Sequence, residues 1–162
     1  MTRFRTSRRL GFAVAILAGC TPSDRNAPAA DSAFAELQTR GAEAMGVDQY
    51  TSAHIFEALP DGGRIVLQRE TDDPEGTATI RAHMTDISAR FAAGDFTIPG
   101  FVHAQSVPGT DVMAARTSLI TYAADTLPRG GQVRITTSDP EAIVAIHAFL
   151  AFQQHDHRAS GH

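Results

Sequence analysis

Two stretches of this chain share the same order of turn and helix-start signals, and this repetition constrains the fold more than any other feature. In each stretch a strand-like run meets a turn that contains Gly-Gly, a second strand-like run follows, and Asp-Pro-Glu opens a helix with a histidine near its middle, His83 or His147. Gly-Gly turns favour hairpins, and Asp followed by Pro is typical of a helix start. The strands are expected at residues 50–59, 64–68, 117–124 and 132–137, and the helices at residues 73–93 and 139–157.

Repetition of this kind indicates an internal duplication of residues 50–94 and 117–157. The chain is therefore predicted to adopt an α+β fold, in which two ββα repeats form a four-stranded antiparallel sheet with two helices on one face. Residues 32–162 are of the length of a single domain. Between the repeats, residues 95–116 form a connector with its own apolar residues, and connectors of this length are often functional.

The first twenty residues indicate export and lipidation. Four arginines precede an apolar run, and Leu17-Ala18-Gly19-Cys20 follows. This order is typical of a secretory signal peptide, here residues 1–19, and the last four residues look like a bacterial lipobox whose Cys20 receives the lipid. The predicted location is the cell envelope, facing the periplasm and held to the membrane by the lipid, and Thr21 favours the outer membrane. The alternative is an ordinary cleaved signal in which Cys20 is incidental.

The residues that follow Cys20 are predicted to form a flexible tether over residues 20–31, because they are rich in Pro, Ala and Ser. A short helix over residues 32–45 then ends at Gly46.

Composition excludes several functions. After the signal peptide the chain has ten basic and eighteen acidic residues, a net charge of about −8, which opposes binding to nucleic acid phosphates. The chain has no lysine, which excludes Schiff-base chemistry and a P-loop. Cys20 is its single cysteine, so an internal disulfide and thiol catalysis are excluded too.

The seven histidines are the residues with the greatest chemical potential. Imidazole is the commonest ligand of transition metals in proteins, and thioethers add affinity for copper. The sequence therefore predicts a zinc or copper site for metal handling or sensing, without catalytic residues. The predicted ligands are His54, His83, His103 and His147 with His157 in reserve, and Asp156 and Met84 support them.

Two other interpretations remain open. The histidines can be structural, since a lone histidine on an apolar face usually binds a backbone carbonyl, and the protein would then be an interaction module with a partner in the envelope. The chain can also be a small metal-dependent hydrolase that uses a metal-bound water, although no general base stands out.

From Tyr50 onward the chain resembles a family of small exported bacterial proteins without a settled function. The residues that carry the resemblance are His54-Ile55-Phe56, Ile80-Arg81-Ala82-His83, Gly94-Asp95-Phe96, His103 followed by Pro108-Gly109, and Thr137-Ser138-Asp139-Pro140 leading to His147 and Gln154-His155-Asp156-His157. Some members carry the label aspartate carbamoyltransferase, but the Ser-Thr-Arg-Thr-type loop that binds carbamoyl phosphate is missing from this sequence. The resemblance implies which histidines belong together and supplies no reaction.

Overall fold

The computed structural model describes residues 27–158, with side chains from residue 31 onward. The signal peptide, Cys20 and the first part of the predicted tether lie outside these residues. The helices are α1 (Ala27–Met45), α2 (Pro74–Ala92), α3 (Thr97–His103), α4 (Thr110–Ala115) and α5 (Pro140–Asp156). The strands are β1 (Ser52–Leu59), β2 (Gly62–Arg69), β3 (Ile120–Leu127) and β4 (Gly130–Thr137).

The four strands form one antiparallel sheet in the order β1-β2-β4-β3, which confirms the predicted α+β class and sheet. The two hairpins lie side by side, and β2 and β4 pair at the centre. Alternate residues of each strand face the helices, so that Phe56, Ile65 and Val133 lie in register across the sheet and enter the core. Duplication as the origin of the two ββα halves stays a prediction.

Short 3₁₀ turns precede two of the strands and shift their predicted starts. Residues Gln49–Thr51 and Thr117–Leu119 form these turns, so β1 begins at Ser52 and β3 at Ile120. Asp48 fixes the first turn, because its carboxylate accepts a hydrogen bond from the Tyr50 amide at 2.8 Å.

The two long helices on the sheet begin as the sequence predicts. The Asp73 carboxylate accepts from the Gly76 amide at 2.9 Å, and Asp139 accepts from the Ala142 amide at 2.8 Å. A proline occupies the first helical position in both, where its missing amide hydrogen is not needed.

Each of these helices packs mainly on the strands of the other half. Helix α2 lies over β3 and β4, whereas α5 lies over β1 and β2. Glycines in the sheet permit this approach: a Cβ on Gly63 would lie 2.2 Å from Leu150 Cδ1, and one on Gly131 would lie 3.3 Å from Met84 Cγ. The two halves therefore cannot pack independently, which supports a single folding unit.

Helices α1 and α3 lie at the end of the fold where the histidines cluster, whereas α4 packs against α5. Helix α1 begins at Ala27, so the last five residues of the predicted tether are helical, and it ends before Gly46, whose φ of +73° suits glycine. It packs against α3, and Arg40 Nε donates to the Val102 carbonyl at 2.8 Å. Among residues 27–158 no helix is both long and apolar enough to cross a membrane.

Candidate functional site

Four of the five histidines predicted as metal ligands line one cavity of about 70 Å³. The cavity lies between β1, α2, α3 and the end of α5, and its walls are otherwise mostly apolar. The histidines are His54, His83, His103 and His157. We call this space the histidine cavity.

Each histidine reaches the cavity from a different element. His54 shares the inward face of β1 with Phe56, as their alternation predicts. His83 lies beside the inward Met84 on α2, and His103 is the last residue of α3. His157 is the residue that caps the C-terminus of α5.

Three of the imidazoles contact one another. The rings of His54 and His157 stack with centroids 5.4 Å apart and planes at 12°. The Phe56 ring lies 5.4 Å from His157 on a similar plane, and the His103 ring meets His157 edge-on at 5.1 Å. The last turn of α5 therefore carries the centre of the cluster.

Both ring nitrogens of His103 have partners. Its Nδ1 makes a short contact with Asp156 Oδ2, and its Nε2 lies 2.7 Å from Gln153 Oε1. Both partners are acceptor oxygens, so either the imidazole is doubly protonated or Gln153 turns its amide so that the nitrogen donates. Asp156, predicted to support a metal ligand, therefore contacts one of the predicted imidazoles, and its role toward a metal stays a prediction.

His54 Nε2 and His157 Nδ1, by contrast, are buried and have no hydrogen-bond partner within the described part of the protein. Such a nitrogen costs about 1–3 kcal/mol unless a ligand or water satisfies it. Both histidines line the cavity, so a species bound there could remove this cost.

Burial keeps these imidazoles neutral. It lowers the pKa of His54 to about 4 against an opposing hydrogen bond with the Ser52 backbone, and His83 lowers this pKa further. Burial also lowers the pKa of His157 to about 3, with added repulsion from His54 and His103. The pKa of His83 is lowered by burial too, although Asp86 opposes the change.

His147 lies outside the histidine cavity, which corrects its predicted place among the ligands. Its Nε2 lies 2.9 Å from the carbonyl oxygen of Leu59, at the hairpin end of β1. His54 is five residues earlier on that strand, and five extended residues span about 17 Å. His147 therefore has the structural role of joining α5 to the hairpin.

The two helix histidines also differ in position within their helices. Counted from the proline that begins each helix, His147 is seven residues on, whereas His83 is nine. The residue of α2 that matches His147 is Arg81, which donates to the Leu127 carbonyl at 2.6 Å. The two helix histidines therefore do not occupy equivalent positions. At the equivalent position of the two helices, His147 and Arg81 each hydrogen-bond to the carbonyl oxygen of the last residue of a hairpin strand.

The other half of the sheet has aromatic side chains where the histidine cavity has imidazoles. Tyr122 lies five residues before the end of β3, as His54 does in β1, and Phe91 matches His157 by count along the helix. The Phe91 and Tyr122 rings are 5.9 Å apart at 70°. Two aromatic rings therefore occupy the matching positions, and Phe91 also lines the histidine cavity itself.

Two polar or polarisable residues of the site were not singled out from the sequence. Met45 lines the cavity from the end of α1, and Gln153 lies on the buried face of α5 that also holds Ile146 and Phe149. The helical spacing of Gln153 with these residues was a usable signal, whereas nothing local marks Met45. Met84 lines the cavity as its predicted supporting role requires.

The side chains are not arranged as a finished metal centre. Within residues 27–158, no group of three or more His, Cys, Asp or Glu side chains is placed to hold an ion. The His54 and His157 rings are stacked, and Gln153 occupies the Nε2 of His103. A bound ion would therefore require the imidazoles to rotate.

Comparison with known proteins finds no relative of this chain. No family model matches the chain, and no curated protein or solved structure matches it either.

Proposed function

We propose that this protein binds one transition-metal ion in the histidine cavity and serves metal handling or sensing rather than turnover. The observation that carries the proposal is the pair of buried imidazole nitrogens without partners, His54 Nε2 and His157 Nδ1. A metal ion is a partner that would offset the cost of their burial. His83, on the wall formed by α2, is the third ligand in this proposal.

The protonation state of the cavity supports metal binding. Metals bind the neutral imidazole, and protons compete with them at the ring nitrogens. Because burial lowers the pKa of His54 to about 4 and of His157 to about 3, that competition is absent at neutral and mildly acidic pH.

The matching site in the other half argues against a purely structural role. Tyr122 and Phe91 occupy the corresponding positions there, so the fold tolerates aromatic rings and does not require imidazoles. Histidine at the position of Phe91 adds a buried nitrogen that must find a partner, and Tyr122 at the position of His54 has a buried hydroxyl without one among the described residues. A function for the nitrogens explains why two imidazoles lie together.

His103 supports the site in this proposal. A carboxylate that accepts from one imidazole nitrogen fixes which nitrogen remains for a metal, and Asp156 contacts His103 in this way. Since Gln153 occupies the other nitrogen, His103 becomes a ligand only when Gln153 turns aside.

The test is thermal denaturation of the full chain with and without added metal. A Cys20→Ser background removes the lone thiol, which would otherwise compete for metal. Binding predicts stabilisation of about 2.7 kcal/mol at a free metal concentration about 100 times the Kd. His157→Phe, which introduces the residue found at the matching position, should abolish the stabilisation while the protein stays folded.

The matched control is His155→Phe, because His155 lies on the same turn but is exposed. This variant should keep the stabilisation by metal. If Zn²⁺, Cu²⁺ and Cu⁺ leave the melting temperature of the parent protein unchanged, the proposal is wrong and the histidines are structural.

The second part of the proposal is attachment to the envelope membrane through lipid on Cys20. It rests on the sequence of residues 1–20. Intact-mass measurement after expression in a bacterium should show an acylated chain that begins at Cys20, and Cys20→Ser should abolish the added mass. An unmodified chain of full length would contradict this part and leave the metal proposal standing.

A further inference from the structure

We infer that the ion held in the histidine cavity is Cu(I), and that Met45 and Met84 provide thioether ligands for it. This inference rests on the proposed function and names its metal. It starts from the composition of the cavity wall, to which α1 and α2 each contribute one methionine in addition to the four histidines.

No anionic side chain within residues 31–158 lines this site. Among the described residues that line the cavity there is no Asp, Glu, Cys or Arg. Asp156 contacts His103 but is not part of the lining. Imidazoles, the two thioethers and the amide oxygen of Gln153 are the ligands that remain, and thioethers select soft ions such as Cu(I).

Charge favours the same ion. Transferring an ion into a medium of low polarity costs free energy that rises with the square of its charge, and no anionic ligand in the lining offsets that cost. A monovalent ion therefore enters this cavity far more easily than Zn²⁺ does. Zinc sites commonly use thiolate or carboxylate ligands, which this lining does not offer.

Coordination number points in the same direction. Cu(I) accepts low coordination numbers with neutral ligands, and two imidazoles with one or two thioethers satisfy it.

The experiment compares Cu(I) and Zn(II) affinities of the full chain in the Cys20→Ser background, without oxygen and with a chromophoric chelator as competitor. Met45→Leu/Met84→Leu should weaken Cu(I) binding by about ten- to a hundredfold, the range over which groups around a metal tune its affinity, and leave any Zn(II) binding unchanged. Leu conserves the side-chain volume. The matched control is Met113→Leu, because Met113 is fully buried in the core and does not line the cavity.

A second readout follows the methyl groups directly. With ¹³C-methyl methionine, the resonances of Met45 and Met84 should move on addition of one equivalent of Cu(I), whereas that of Met113 should not. An ion bound outside the histidine cavity would not produce this pattern, and the affinity of the double methionine variant decides whether the thioethers bind it.

The outcomes separate the two proposals. Tight Zn(II) binding with unmoved Met45 and Met84 resonances would overturn the Cu(I) inference and keep the metal site. Cu(I) binding that is unchanged in the double methionine variant would also overturn the thioether assignment. Binding of neither ion would overturn the proposed function and this inference together.

Discussion

Acidifying the metal-free protein from about pH 7 to about pH 4 should lower its free energy of unfolding by about 3 kcal/mol through His54 alone. The pKa of His54 is 6.5 in the unfolded chain and about 4 in the folded protein, because burial disfavours the charged imidazole. Between these values the unfolded chain binds a proton that the folded protein does not. Each pH unit in that interval costs about 1.4 kcal/mol, so stability is complete above about pH 6.5 and is lost as the pH falls toward 4.

His157 acts with the same sign, since burial also lowers its pKa, to about 3. Carboxylates affect stability at lower pH. Asp73, for example, has a pKa below its usual range through its hydrogen bond from the Gly76 amide, and its stabilising effect is lost only below about pH 4. The interval from pH 7 to pH 4 therefore reports mainly on the buried imidazoles.

The assay is urea denaturation followed by far-ultraviolet circular dichroism at a series of pH values, with a chelator present. The control variant is His54→Gln, which is neutral at every pH used and should reduce the slope between pH 6.5 and pH 4 by about 1.4 kcal/mol per pH unit, while the slope due to His157 remains. A parent profile that is already flat over this interval, or a slope that His54→Gln leaves unchanged, would refute the view that His54 is buried as a neutral imidazole.

Four further substitutions test the packing and the site. Gly63→Ala should cost about 2–3 kcal/mol or more in chemical denaturation, since its Cβ would lie 2.2 Å from Leu150 Cδ1 and 2.6 Å from the Glu57 carbonyl oxygen, whereas Gly131→Ala, whose contacts begin at 3.2 Å, should cost less; equal costs would contradict the closer contacts at Gly63. Asp139→Ala should cost about 1 kcal/mol by removing the cap of α5, and a melting temperature equal to the parent's would show that the cap does not matter. Asp156→Asn should cost about 1–3 kcal/mol because it removes the charge from a hydrogen bond to a buried imidazole, and unchanged stability would show that the contact with His103 contributes nothing.

Local signals accounted for most of the secondary structure. Asp followed by Pro fixed where α2 and α5 begin, because the carboxylate caps free amides and proline suits the first helical position. The errors lie where a short-range interaction competes with extended backbone. The Asp48 side chain, for example, holds a 3₁₀ turn where a strand was expected.

The site was only partly predictable. The alternation of inward and outward residues along β1 placed His54 on the inward face of that strand. The helical spacing of the apolar residues of α2 placed His83 beside the core. Neither pattern reveals which inward residues meet, since that depends on contacts between residues far apart in the chain. Spacing from the helix start would have separated His147 from His83, yet only the structure showed that His147 binds the Leu59 carbonyl.

The sequence by itself determined the four strands, α2 and α5, their order and the inward face of each, because these follow from turn residues, helix caps and the period of the apolar residues, whereas α3 and α4 in the connector were not predicted. Only the tertiary structure decided that each long helix crosses to the strands of the other half, and that α1 and α3 close one end of the sheet. This packing brings the His157 ring into contact with the rings of His54 and His103. It leaves one nitrogen of His54 and one of His157 buried without a partner among the described residues. The physical reason is that burial and close packing depend on the whole chain at once, whereas hydrogen-bonded turns and caps form between neighbours.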